Sequence, residues 1–153
     1  MEEITQDETS IQFYEELIKS ISEPAPMALV IVKFEVTDYI PRQSLEPNIQ
    51  KKLPEAVRSA VHDRLKENLR KYDILSHIHE NIYVAVIKTL KDESELQKRM
   101  INLEKKLQLP YIFKEVESVV EVELGLALRK PGETPSNLLQ RADSKFKRFT
   151  SQS

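Results

Sequence analysis

The chain is expected to fold as an α/β domain of the α+β kind, a mixed sheet flanked by helices. Three observations carry that expectation. Segments with an apolar residue every three or four positions alternate with short runs rich in β-branched residues. Two of the extended stretches divide around tight turns, as hairpins do. With 153 residues, 40% of them apolar, the chain can bury one core of ordinary size.

Taken in order, residues 1–10 are acidic and polar and read as a flexible tail. Ile11, Tyr14, Leu17, Ile18 and Ile21 recur at helical spacing after the candidate cap Ser10, and Pro24 and Pro26 end that helix. Ala28–Phe34 is a continuous apolar run, the pattern of a central strand buried on both faces. Thr37–Leu53, with Pro41, Gln43, Pro47 and Asn48, reads as an irregular connection. A helix follows with Pro54 in its first turn and Val57, Ala60, Val61, Leu65 and Leu69 facing inward, ending near Arg70-Lys71. Tyr72–Ile78 and Ile82–Ile87 form a hairpin. Glu93–Leu107 is a helix capped by Asp92 or Ser94, with Leu96, Met100, Leu103 and Leu107 on one face. Tyr111–Val116 and Val119–Leu128 form a second hairpin around Glu117-Ser118. Lys130–Thr134 is a turn, and Pro135–Phe149 is a last helix capped by Thr134, with Leu138, Leu139, Ala142 and Phe146 inward.

Composition narrows the function classes. The 31% of charged residues balance to a net charge of −2, so no field of one sign draws in nucleic acid. The clusters Lys51-Lys52, Lys105-Lys106 and Lys145–Arg148 alternate with acids and lack a stacking platform, and they read as solvated faces. No apolar run reaches membrane-spanning length, and the acidic start is not a signal peptide. The chain holds no cysteine, which excludes disulfides, zinc–thiolate sites and thiol nucleophiles and makes a cytoplasmic location the expectation. His62, His77 and His79 could be imagined around a metal, but no acid is clearly placed with them, and solvent-facing histidines near a turn explain the pattern.

The glycines are the sharpest clue. Only Gly125 and Gly132 occur, and neither sits where backbone could cradle a phosphate. The turn of the first hairpin carries His79-Glu80-Asn81 instead, so side chains fill the space a substrate phosphate needs.

Three segments together carry a family resemblance. The helix leading to Arg70–Ile78, with its tight turn and Tyr83–Ile87, resembles the centre of a GGDEF (diguanylate cyclase) domain. Val122–Leu128, containing Leu124-Gly125-Leu126-Ala127, is similar to that family's x-S-I-G-x-A strand. Pro131–Asp143, with Leu138-Leu139 and Ala142-Asp143, is similar to the entry into its last helix. The opening helix, from Phe13 to Ile18, and the strand Ala28–Phe34 fit the rest, so the resemblance spans roughly Ser10 to Phe149 and makes residues 11–150 one degenerate GGDEF-like domain, with 151–153 as a tail.

The resemblance implies a palm-like sheet, and in the family's enzymes the joining of two GTP into cyclic di-GMP with Mg²⁺ held by carboxylates. It also implies what this chain lacks. The signature turn falls on His79, Glu80, Asn81, Ile82 and Tyr83, where only the aromatic survives. The metal-binding acid at the end of the first strand falls on Lys33, the phosphate-gripping lysine on or near Thr150, and the guanine-contacting acid on Glu55. The expectation is a domain without cyclase activity and without a Mg²⁺ site. One family feature stays in register: an R-x-x-D product site, here Arg70 and Asp73, five residues before the signature, with Arg99 as the nearest second arginine. The partners implied are cyclic di-GMP and a protein partner. Two alternatives stand beside this reading: an interaction or dimerisation module with no nucleotide, and, more remotely, GTP binding without turnover.

Overall fold

The computed structural model describes residues 6–23, 26–40, 47–71, 73–88, 90–147 and 149. The expectations for residues 1–5, Pro24, 41–46, Tyr72, Arg148, Thr150 and 151–153 lie outside the described residues. The elements are α1 (Gln6–Ile21), β1 (Met27–Ile40), α2 (Pro47–Glu67), β2 (Ile74–His79), β3 (Ile82–Lys88), α3 (Glu93–Leu107), β4 (Tyr111–Phe113), β5 (Val116–Leu128), α4 (Pro135–Asp143) and β6 (Phe146–Lys147).

The sheet has the order β2-β3-β1-β5-β4, and β6 pairs with β5 beyond the end of β4. The expected α+β architecture is present, but the sheet is not mixed as expected: every described pairing in it is antiparallel. The chain path accounts for this. The α2 crossover returns β2 in the direction of β1, and the hairpin then slots β3 between them. The second hairpin does the same with β5 on the other side of β1.

Alternation along β1 divides the core in two. Ala28, Val30, Val32 and Phe34 face α2 and α3, while Met27, Leu29 and Ile31 face α1 and α4. The apolar run at the centre of β1 is therefore buried on both faces, as its composition implied.

Several boundaries differ from the sequence expectation, each for a physical reason. Helix α1 starts at Gln6 because nothing between Gln6 and Ile21 is a Gly or Pro, so Ser10 lies inside it and residues 6–10 are helical rather than tail. It rests on the sheet along Leu17, Ser20 and Ile21, which leaves Tyr14 and Ile18 on its outer side, 41% and 46% exposed. Strand β1 runs on to Ile40, past the expected start of a loop at Thr37, because β5 is long enough to pair with it as far as Glu117. Helix α2 starts at Pro47, seven residues early, and Pro54 lies in its interior. Pro54 costs the helix one hydrogen bond, but Ile49, Leu53, Val57, Val61 and Leu65 form an unbroken i, i+4 ladder against the core, with Leu53 only 3% exposed. That burial outweighs the local penalty.

The second hairpin turns at Lys114-Glu115, not at Glu117-Ser118. Both turn residues have positive φ, 50° and 67°, as a two-residue turn of the I′ type requires, but neither is the Asn or Gly that announces such a turn. Helix α4 stops at Asp143, six residues short of Phe149. Ser144 closes it, and Phe146 leaves the helix to pair with Gly125 as part of β6.

Candidate functional site

The three residues expected at the product site converge. Helix α2 ends at Glu67, and a turn in which the Asp73 N–H donates to the Arg70 carbonyl (2.9 Å) leads into β2. Asp73 Oδ2 accepts from the backbone N–H of Arg70 (2.8 Å) and from Arg99 Nη2 (2.7 Å), and Oδ1 accepts from the backbone N–H of Lys88 (2.9 Å). The carboxylate is closed off: its side chain is 0% exposed, against 12% for Arg99 and 48% for Arg70. Arg99 Nη1 is buried and has no hydrogen-bond partner among the described residues. Arg70 is therefore open to solvent at this site and the Asp73 carboxylate is not. Asp73 opens a strand that must fasten to the end of β3, and its carboxylate makes that fastening.

Sequence reading missed Glu95. Its Oε2 accepts from Arg70 Nη2 (3.0 Å) and its Oε1 from the backbone N–H of Lys91 (2.7 Å). The Lys91 N–H, and then the Arg70 hydrogen bond, hold the Glu95 carboxyl below its usual range. The signal was present. Asp92-x-x-Glu95 is a capping pattern, and the Asp92 side chain does accept from the Glu95 N–H (2.9 Å). Glu95 and Arg99 are then neighbours at i, i+4 on the helix face beside Asp73.

The turn that the resemblance aligns with the family signature lies at the other end of the β2–β3 hairpin. His77 pairs with Tyr83, a register shift follows, and His79 pairs with Ile82, leaving Glu80-Asn81 as the turn. The Phe34 N–H donates to the Asn81 carbonyl (3.1 Å), tying this turn to β1. Lys33 stands opposite Ile82 on one side and Glu123 on the other, with Nζ 4.0 Å from the Phe146 ring centroid. A cleft of ≈ 360 Å³ opens here, lined among others by Lys33, Glu35, His79, Asn81 and Glu121. Its described lining does not include Glu55, which is exposed on α2. Thr150 lies outside the described residues.

Tyr83 is a core residue, 2% exposed. His77 stacks on its ring at 4.4 Å and 11°, and His62 lies at 5.6 Å. Burial raises the Tyr83 hydroxyl pKa and, with help from Lys66, lowers that of His62. His77 Nε2 lies 3.2 Å from the Glu80 carbonyl oxygen, so the ring has both a stacking and a polar partner. Among the described residues, no three His, Asp or Glu side chains are grouped to hold a metal ion, and no helix is long and apolar enough to cross a membrane.

Comparison with known proteins adds the family. The chain superposes on the GGDEF domain of YfiN (TpbB) from Pseudomonas aeruginosa with a TM-score of 0.69 and 17% identity, covering 88% of this chain and 84% of that one. The GGDEF domain of DgcB from Caulobacter crescentus, solved in complex with c-di-GMP, gives 0.64 and 11% over 91% and 80%. The diguanylate cyclase SiaD, solved with its activator SiaC from Pseudomonas aeruginosa, gives 0.65 and 12% over 88% of this chain and 50% of that one. No curated protein sequence matches. The family model described as diguanylate cyclase, GGDEF domain matches residues 53–152, from the buried end of α2's apolar ladder to beyond β6. The fold agrees with that match, and the chain belongs to the GGDEF domain family.

Proposed function

We propose that this GGDEF domain has no cyclase turnover and acts as a regulator, binding cyclic di-GMP at Arg70, Asp73 and Arg99 and passing that state to a protein partner. The observation that carries the reading is the convergence of the α2–β2 connection, which holds Arg70 and Asp73, with Arg99 of α3 in one cluster that has an exposed guanidinium at its edge. Arg70 offers a planar fork to a phosphate or a guanine edge. Arg99 of the same cluster keeps a buried donor with no hydrogen-bond partner among the described residues. The ligand named for DgcB and the activator protein named for SiaD are partners of the two kinds this reading calls for.

Loss of turnover is supported by the other end of the hairpin. Joining nucleotides needs acids that grip a metal while phosphate charge is neutralised. By the family resemblance the corresponding positions fall on Lys33, Asn81 and Ile82, an ammonium and two neutral side chains that line one cleft. Lys33 and a divalent cation repel each other.

One observation favours a second reading, an interaction or dimerisation module with no nucleotide. The Asp73 carboxylate is spent on internal donors, as a purely structural fastening would be. Calorimetric titration with cyclic di-GMP separates the two. The receptor reading expects saturable heat that Arg70→Ala weakens about tenfold to hundredfold, the loss of a hydrogen bond to a charged group. No heat from the unsubstituted protein at millimolar ligand leaves the module reading.

A further inference from the structure

The site proposed above is not empty of charge. Its exposed fork is already occupied by a carboxylate of the same chain, and we infer that Glu95 is a built-in competitor that holds Arg70 closed and limits the affinity of the site for its anionic ligand. This inference rests on the receptor reading and adds to it a regulatory residue that the R-x-x-D pattern does not contain.

The geometry is specific. Glu95 Oε2 lies 3.0 Å from Arg70 Nη2, so it takes a donor that a phosphate oxygen would need. Its other oxygen is fixed by the Lys91 N–H (2.7 Å), so the carboxylate is aimed rather than merely nearby. Its lowered pKa keeps it ionised at neutral pH. The carboxylate also places negative charge beside the point where the ligand's charge would arrive, which opposes binding a second time.

The neighbouring pair behaves differently. Arg99 with Asp73 is buried and locked, while the exposed Arg70 with the half-buried Glu95 is partly open to solvent, where an ion pair is worth less and can exchange. In the buried pair, Arg99 Nη1 has no hydrogen-bond partner among the described residues. Swinging Glu95 away also frees one end of α3's first turn, giving ligand binding a route to change the surface seen by a partner.

The test uses the full chain and cyclic di-GMP as the probe, titrated by calorimetry into the unsubstituted protein, Glu95→Gln, Glu95→Ala and the double variant Glu95→Gln/Arg70→Ala. Gln keeps an oxygen for the Lys91 N–H, and Ala removes the competitor by an independent route. The expected result is that both single variants bind about three- to tenfold tighter than the unsubstituted protein, the scale of releasing a surface ion pair and its repulsion. The double variant should lose that gain. Equal affinity with and without Glu95 would overturn the competitor and leave the receptor reading standing. A gain that survives Arg70→Ala would overturn it as well, since the gain would not act through Arg70. No heat from any variant would overturn both readings together.

Discussion

Asp73→Ala should destabilise the fold by about 3–5 kcal/mol, because it leaves a buried arginine without its counter-charge. Asp73 is 0% exposed and is the acceptor for Arg99 Nη2 and for the backbone N–H groups of Arg70 and Lys88. Removing it takes the acceptor from two main-chain N–H groups and from a guanidinium whose Nη1 has no hydrogen-bond partner among the described residues. For a chain of this size the loss corresponds to a fall in melting temperature of roughly 10 °C. Arg70→Ala is the matched control. The Arg70 side chain is 48% exposed, and its half-buried partner Glu95 keeps the Lys91 N–H when Arg70 is removed, so thermal and denaturant unfolding should change little. If Asp73→Ala melted like the unsubstituted protein, the carboxylate would not be the fastening between α2, β3 and α3 described here.

The second large effect is expected at Gly125. A Cβ there would lie 2.3 Å from the Ala142 carbonyl oxygen and 3.0 Å from two ring carbons of Phe146. The ring could yield, but the carbonyl belongs to the backbone of α4 and cannot move without the helix. Gly125→Ala should therefore cost about 3 kcal/mol, the upper end of core overpacking, and should displace α4 together with β6. Gly132→Ala separates crowding from backbone strain. Gly132 has φ +73° and nothing within 4 Å, so it should lose only about 1 kcal/mol through conformation. Denaturant unfolding of the two variants side by side measures the difference, and equal losses would contradict the steric account.

Gly125 also illustrates what could be read from the chain. The Leu124-Gly125-Leu126-Ala127 element was legible as a family strand. The reason for its glycine, a helix carbonyl pressed against the strand, needed the tertiary structure. Helix α3 and the strand Ala28–Phe34 were legible because burial, capping and period agree locally. The early start of α2 was not, since Pro54 speaks for a helix start and only the packed ladder from Ile49 to Leu65 overrules it. The turn at Lys114-Glu115 was hidden because lysine and glutamate advertise no positive φ.

At the candidate site, the spacing of Arg70 and Asp73 was readable, and so was the contribution of Arg99 from the next helix. The enclosure of Asp73 was not, because exposure depends on how β3 ends and where Lys88 places its N–H. Glu95 was overlooked for a related reason. A capping residue is usually assigned to its helix, and here its side chain also reaches across to the end of α2.

The claim on which the functional account turns is that Lys33, Asn81 and Ile82 stand where the cyclase reaction needs metal-gripping acids. Incubation of the purified chain with GTP and Mg²⁺, followed by chromatographic assay for cyclic di-GMP, tests it most directly. The account predicts no product above a no-protein control, at any protein concentration that allows dimers to form. Accumulation of cyclic di-GMP in proportion to added protein would contradict it.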